Sequence, residues 1–370
     1  MKNSMPSWLN KYLSLIAGLL LDSLLFSATA RAESHVLLSR SGTYPMVVAL
    51  DQQQRSWLQG KRELRVGSSA PDYPPFDLTA SARDYEGLTA DYLGILASAL
   101  DLPIKVQRFH SRLAAIKALE EGSIDLLGTS NGFEADNPQL LLSTPYAIDQ
   151  PVLVTREGDS RSLPRDLAGL RLSLVHHYLP LDEVKALYPK AIIHSYPSPQ
   201  NAINSVAFGQ TDVFLGDTVS AHYMISKGHL KNIKMANFGK PQPHGFSFAV
   251  HRDNRQLLEM INTTLQAVPG SERDSIARRW NAGSNSLLAS QKLQLTEREE
   301  QWLSQHPVVK VVVNETLAPL TFFDPDGNFR GITADLLEIV RLRTGLTFEI
   351  QRARSFGTMI QMINRHETDI

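Results

Sequence analysis

Apolar positions along the chain switch repeatedly between two periods. Residues 64–68 read as a short strand. Leu88, Tyr92, Ile95, Leu96 and Ala99 recur at helical spacing and predict an amphipathic helix over 87–100. Residues 104–109 alternate as a strand, and Ser111 caps a helix carrying Leu113, Ile116 and Leu119. Residues 124–128 read as a buried strand. This βαβαβ order predicts a parallel sheet with helical crossovers. The alternation starts afresh after residue 150, with strands over 170–175, 191–194, 213–215 and 233–238. Helices over 181–187, 199–209 and 217–226 lie between them, and a strand over 246–251 with helices over 256–268 and 271–280 closes the unit. Extended crossings near 146–155 and 238–246 link the two α/β units. Together they predict two lobes on a hinge, with a ligand cleft between them at the carboxyl ends of strands.

The first residues follow another pattern. Lys2 and Lys11 are followed by a mostly apolar run over 13–26, and Ala30-Arg31-Ala32 has small-x-small cleavage spacing. That predicts a signal peptide over 1–32 and a mature start near Glu33. The run is shorter than the roughly 20 residues a membrane span needs, and Asp22 interrupts it. Residues 33–56 read as a polar lead-in with one apolar patch at 44–50.

The chain also repeats itself. Trp57-Leu58 lies over Trp302-Leu303, Val66 over Val311 and Pro74 over Pro319. After a one-residue slip, the segment Gly87 to Leu93 lies over Gly331 to Leu337, Ser111 over Ser355, and Asp125-Leu126 over Asp369-Ile370. Register held this long indicates a tandem duplication. The first module is expected over 57–283, with lobe 1 at 57–148 and 242–283 and lobe 2 at 153–238. A Ser/Asn/Gln-rich linker follows over 284–299. A second module over 300–370 stops about a third of the way through, and its short helix starts at the capping-box spacing of Thr296 and Glu299. The sequence therefore reads as part of something longer.

Charge narrows the function. Lys and Arg number 37 against 38 Asp and Glu, which gives no global electrostatic case for nucleic acid. There are 0 cysteines, so disulfides, thiolate metal sites and cysteine nucleophiles are excluded. No paired carboxylates, Ser/His/Asp arrangement or metal-ligand set stands out, so the expectation is a non-catalytic chain without cofactor or metal.

Further motifs add a resemblance. The series Pro74-Pro75-Phe76, Gly87, Asp91, 122–126 (GSIDL) and Ser143-Thr144-Pro145-Tyr146 resembles family 3 periplasmic solute-binding proteins over nearly all of 57–283. The tandem arrangement, the joining phrase 295–307 (LTEREEQWLSQHP), 181–184 (LDEV) and 188–191 (YPKA) are similar to the periplasmic part of BvgS/EvgS-type hybrid sensor histidine kinases. The resemblance implies an α/β fold of the two-lobed "Venus flytrap" type and a periplasmic small-molecule sensor that works as a homodimer. A downstream transmembrane helix and kinase parts would follow. A free solute-binding protein of an ABC-type transporter is the alternative, and it predicts one module only. The implied ligand is amino-acid-like, an amine or a small acid.

Within this frame the cleft candidates are Asp72, Phe76, Thr129, Ser130, Asn131, Asp136, Tyr146, His176, His177 and Asp217. Pro74 and Pro75 fix the loop that presents Phe76 to ligand, or else Phe76 packs. The hydroxyls and amide of 129–131 suit hydrogen bonds to an anion or a carbonyl, or face solvent. Amino-acid binders of the family place an Arg shortly after this loop, forked onto the ligand carboxylate. Here that position falls at Asp136 or Asn137, and no Arg occurs between Arg112 and Arg156. A cationic or neutral ligand, a degenerate cleft, or an anion held elsewhere stay open. Asp217 matches the family position that pairs with a ligand ammonium, and it is equally a good helix N-cap. His176 and His177 follow a strand end, one expected in the cleft and one in solvent, and a titrating ring there implies pH-dependent closure. Asp91 and Asp125 recur in the second module and are read as structural.

Overall fold

The computed structural model describes residues 32–41, 48–81, 83–159, 161, 163–227, 230, 232–242, 244–280, 295–325 and 327–370. The expected signal peptide, apart from Ala32, and most of the expected linker lie outside these residues. Among them, no helix is long and apolar enough to cross a membrane.

Chain order begins with β1 (Glu33–Leu37), α1 (Gln52–Gln59), β2 (Leu64–Ser69), β3 (Leu78–Thr79), β4 (Asp84–Glu86) and α2 (Leu88–Leu100). Next come β5 (Ile104–Phe109), α3 (Arg112–Glu120), β6 (Leu126–Ser130), α4 (Gly132–Ala135) and β7 (Leu140–Leu142). The second unit holds β8 (Pro151–Arg156), β9 (Arg171–Val175), α5 (Leu181–Leu187), β10 (Ile192–Tyr196), α6 (Pro199–Ala207), β11 (Val213–Asp217), α7 (Thr218–Lys227) and β12 (Ile233–Phe238). The chain returns through β13 (Ser247–His251), α8 (Arg255–Ala267) and α9 (Gly270–Arg279).

These strands form two sheets, ordered β3-β4-β1-β5-β2-β6-β13-β7 and β10-β9-β11-β8-β12. In the first, β2 pairs in parallel with β5 and β6. Strand β13 runs antiparallel to β6 and β7, because it re-enters the sheet from the other lobe. In the second, β9, β10 and β11 are parallel, while β8 and β12 pair antiparallel as the two strands that join the lobes. Each sheet has its own core. Val66, Leu93, Leu96, Val106, Phe246, Phe248 and Ile261 belong to the first, and Val154, Leu172, Val184, Ile203, Phe214 and Leu215 to the second. The fold is thus two packed α/β lobes of mixed sheets rather than purely parallel ones.

The lead-in is more ordered than its polarity predicts. Strand β1 pairs antiparallel with β5 and parallel with β4, and so joins the β3–β4 hairpin to the main sheet. Only His35 of its five residues is buried. Main-chain hydrogen bonding rather than an apolar face holds the strand there, and apolar periodicity cannot report that.

The second module comprises α10 (Glu297–Gln305), β14 (Val308–Asn314), β15 (Thr316–Leu317), β16 (Thr321–Phe323), β17 (Phe329–Arg330), α11 (Ile332–Thr344), β18 (Thr347–Ala353) and α12 (Phe356–Asn364). It reproduces the local chemistry of the first. Gly87 and Gly331 take φ of 129° and 111°, and a Cβ on either would fall 2.1 or 2.5 Å from a backbone oxygen of the preceding loop. Only glycine permits that approach. It lets Leu88 and Thr89 donate to the carbonyls of Pro75 and Phe76, and Ile332 and Thr333 to those of Pro319 and Leu320. Ser111 and Ser355 cap α3 and α12. The Asp125 carboxylate accepts from the Arg65 amide at 2.9 Å and that of Asp369 from the Lys310 amide at 2.8 Å. The modules also touch. Arg341 on α11 donates to the carbonyls of Ala236 and Met235 on β12, at 2.8 and 2.6 Å.

Candidate functional site

The two sheets converge at the hinge, where the chain crosses twice. Tyr146 donates its amide to the Phe246 carbonyl at 2.9 Å, and Phe246 returns a bond to Ala147 at 2.8 Å. The gap between the lobes opens beside this crossing, at the carboxyl ends of β2, β6, β9 and β11.

The lobes meet across that gap. Tyr73, in the loop after β2, donates its hydroxyl to Asp217 Oδ2 at 3.0 Å. Asp217 ends β11, and its Oδ1 accepts the Ser220 amide at 2.7 Å. Beside it Asp149, on the first crossing, accepts from the Tyr178 hydroxyl at 2.6 Å. The Phe133 and His177 rings meet edge-on with centroids 5.1 Å apart. Tyr73 also packs on Phe246 and Phe76, at 5.8 and 6.1 Å. This is a closed arrangement in which protein side chains fill the gap. Two hollows lie away from this contact: one of about 220 Å³ by Tyr92 and Tyr146, and one of about 650 Å³ by Arg156 and Asp212.

Burial tunes these groups. Burial first, then the charge of Asp217, pushes the Asp149 carboxyl well above its usual range. Asp217 is raised by burial, against the lowering effect of the Ser220 bonds. The Tyr73 hydroxyl is raised well above its ordinary value by burial and by the charges of Asp217 and Asp149. Burial, with the charges of Arg112 and His176, brings His177 down to about 4. A ring with a depressed pKa stabilises the closed form above 6.5, its ordinary value, and that contribution is lost as pH falls toward about 4. Discounted for the ring's partial exposure, the loss is about 1 kcal/mol. Melting temperature followed from pH 7 to 4.5 should therefore fall more steeply in the parent than in His177→Gln. Parallel curves would rule the coupling out.

The sequence-derived candidates fall into three groups. Asp217, Tyr146 and His177 line the gap or its hinge. Tyr146 accepts the Thr129 amide at 3.1 Å and bonds the Thr89 hydroxyl at 2.9 Å. Thr129, Ser130 and Asn131 sit in the expected loop, but their side chains are engaged internally. Thr129 donates to Asp77, Ser130 meets Arg112, and Asn131 caps α4. Asp72 also turns inward, onto Thr79 and Arg108.

Two expectations are corrected. Phe76 is fully buried against Phe246 at 3.9 Å, in the lobe 1 core, rather than presented to the gap. The backbone turn in which Phe76 donates to the Tyr73 carbonyl gives the outward place to Tyr73. Asp136 is exposed at the C-terminus of α4, where no neighbouring element covers it. His176 is exposed, while the adjacent His177 turns to Phe133. Sequence reasoning passed over Tyr73 and Asp149. Tyr73 stood one residue before the proline pair already singled out. Asp149 stood within the predicted crossing, and only strand pairing brings it beside Asp217.

Comparison with known proteins agrees with this architecture. The model of bacterial extracellular solute-binding proteins, family 3, matches residues 64–283 and again 309–370. The chain is 42% identical over 357 residues to the virulence sensor protein BvgS of Bordetella parapertussis, covering 96% of this chain and 29% of that protein. It is 29% identical over 301 residues to the sensor protein EvgS of Escherichia coli O157:H7, covering 81% and 25%. The crystal structure of the B. pertussis BvgS periplasmic domain superposes with a TM-score of 0.69 at 40% identity, over 91% of this chain and 65% of that one. The chain thus spans under a third of the length of these curated relatives. With the family pattern matched twice along it, the chain belongs to the bacterial extracellular solute-binding proteins, family 3.

Proposed function

We propose that this chain is the periplasmic sensing region of a hybrid sensor histidine kinase, in which lobe closure around a small molecule is the signal. The observation that carries this reading is the Tyr73–Asp217 hydrogen bond across the gap, since it defines a closed state that an open state must break. A ligand shifts such an equilibrium only by what it binds better in one state than in the other. The Arg341 contacts give lobe 2 a direct mechanical path into the second module. The start of a second module after the first also favours a sensor over a free transport receptor.

The test uses the absence of cysteines from these 370 residues. Phe133→Cys with His177→Cys, joined by a short bis-methanethiosulfonate cross-linker in the full-length protein that carries this region, holds the lobes closed. Kinase output is expected to change several-fold on cross-linking and to return on reduction. Output indifferent to the cross-link would end the proposal.

A further inference from the structure

We infer that the gap takes an organic cation without a carboxylate, an alkylammonium or guanidinium group seated between Asp149 and Asp217. The inference rests on reading the gap as a ligand cleft and deepens it to a chemical class.

Three observations converge. The first is that two carboxylates share one buried place. Asp149 and Asp217 are each 1% exposed. Strand register brings them together, because Asp217 lies opposite Pro151 and Thr218 donates to the Gln150 carbonyl. Each also contributes to the electrostatic field at Tyr73 and Tyr178.

The second is that their partners are neutral. Among the described residues, Asp217 accepts from a phenol and an amide, and Asp149 Oδ1 from a phenol. Among the described residues, Asp149 Oδ2 is buried with no hydrogen-bond partner. Two buried carboxylates without a cation are costly, and a ligand cation with several N–H donors would supply both the charge and the missing donor. The half-buried ring of Tyr73 adds a face suited to a cation.

The third excludes the usual amino-acid mode. Arg112 is the buried cation beside the loop 128–131. Its Nε lies 2.6 Å from Glu134, and its other nitrogens donate to the carbonyls of Gly128 and Thr129 at 2.9 Å and to Ser130 Oγ at 3.2 Å. Its fork is fully engaged, so a ligand carboxylate would find no guanidinium there. The position after the loop, Asp136, carries the opposite charge and faces solvent. In the bound form the ligand nitrogen takes the place of the Tyr73 hydroxyl at Asp217 Oδ2, and the lobes close on the ligand instead of directly on each other.

Calorimetric titration of the whole chain tests this with paired probes that differ by one carboxylate: agmatine against arginine, and cadaverine against lysine. The decarboxylated member of at least one pair is expected to bind tenfold or more tightly than its amino acid. Asp149→Asn should weaken that binding at least tenfold. Tyr73→Phe, which removes the competing hydroxyl, should strengthen it several-fold. Should Asp149→Asn fail to fold by circular dichroism, the Tyr73→Phe titration decides alone, and unchanged or weaker binding overturns the inference. An amino acid binding as tightly as its amine, or no binding by any of the four, also overturns it. Neither result touches the lobe-closure reading, which stands or falls on the cross-linked protein.

Discussion

Asp91→Ala is expected to lower the unfolding free energy of the first module by about 3–5 kcal/mol, the scale for orphaning a buried ionic group. Asp91 is fully buried near the start of α2. Its Oδ1 accepts the Arg40 amide at 2.7 Å, from the lead-in. Its Oδ2 takes Arg279 Nη1 at 2.5 Å and Trp280 Nε1 at 2.7 Å, from the end of the module. Entry and exit of the chain are thus tied to one carboxylate, and the Arg40 guanidinium lies 5.8 Å from the Trp280 ring to close the knot. Alanine leaves the Arg40 amide and Trp280 Nε1 without this acceptor and strips the Arg279 guanidinium of its carboxylate, with Ser41 Oγ at 3.2 Å remaining to it. The repeat supplies an internal control. Asp335 occupies the matching place in the second module and is exposed, so Asp335→Ala should change stability by no more than about 0.5 kcal/mol. Urea denaturation of both variants measures the contrast. A loss below about 1 kcal/mol for Asp91→Ala would show that the knot is ornamental.

The same comparison shows what a sequence can and cannot disclose. The strand over 104–109 and the cap at Ser111 were legible because their signals are local: alternation in one case, a side-chain oxygen three residues from its amide in the other. The repeat was legible because glycine, serine and aspartate recur where backbone geometry needs them. Strand β1 was not, because its place depends on two partner strands some fifty to seventy residues away. The site was half legible. Asp217 could be placed from the family pattern. Between Tyr73 and Phe76, however, only the turn decides which ring faces the gap, and both aromatics satisfy the same sequence rule. Asp149 becomes conspicuous only when β8 and β11 pair and carry it beside Asp217. The pattern also named Asp136 by analogy with an arginine, but a charge-reversed residue has no carboxylate to meet and turns to solvent instead.

Arg112→Ala is the companion case on the floor of the cleft, with an expected loss of about 3–5 kcal/mol. The guanidinium threads the loop 128–131 through two carbonyls and one hydroxyl, and it neutralises Glu134, itself 1% exposed. Its removal strands that carboxylate with little beyond the Asn131 amide at 2.9 Å. It also withdraws a positive charge that opposes the burial-raised pKa of Asp77. Much of the penalty is therefore an unpaired charge, not a lost contact. Arg112→Ala with Glu134→Ala should be less destabilised than the sum of the two single variants, with a coupling energy above about 2 kcal/mol. The loop's hold on the hinge loosens with it, since Thr129 reaches Tyr146 from the same segment. One spectroscopic sign separates this account from simple loss of packing. Burial is the larger cause that holds His177 near 4, and the charge of Arg112 is the next. The ring should therefore titrate at higher pH in the arginine variant than in the parent, read by NMR on folded protein. An unshifted His177 together with additive single-variant losses would mean that Arg112 acts by volume alone.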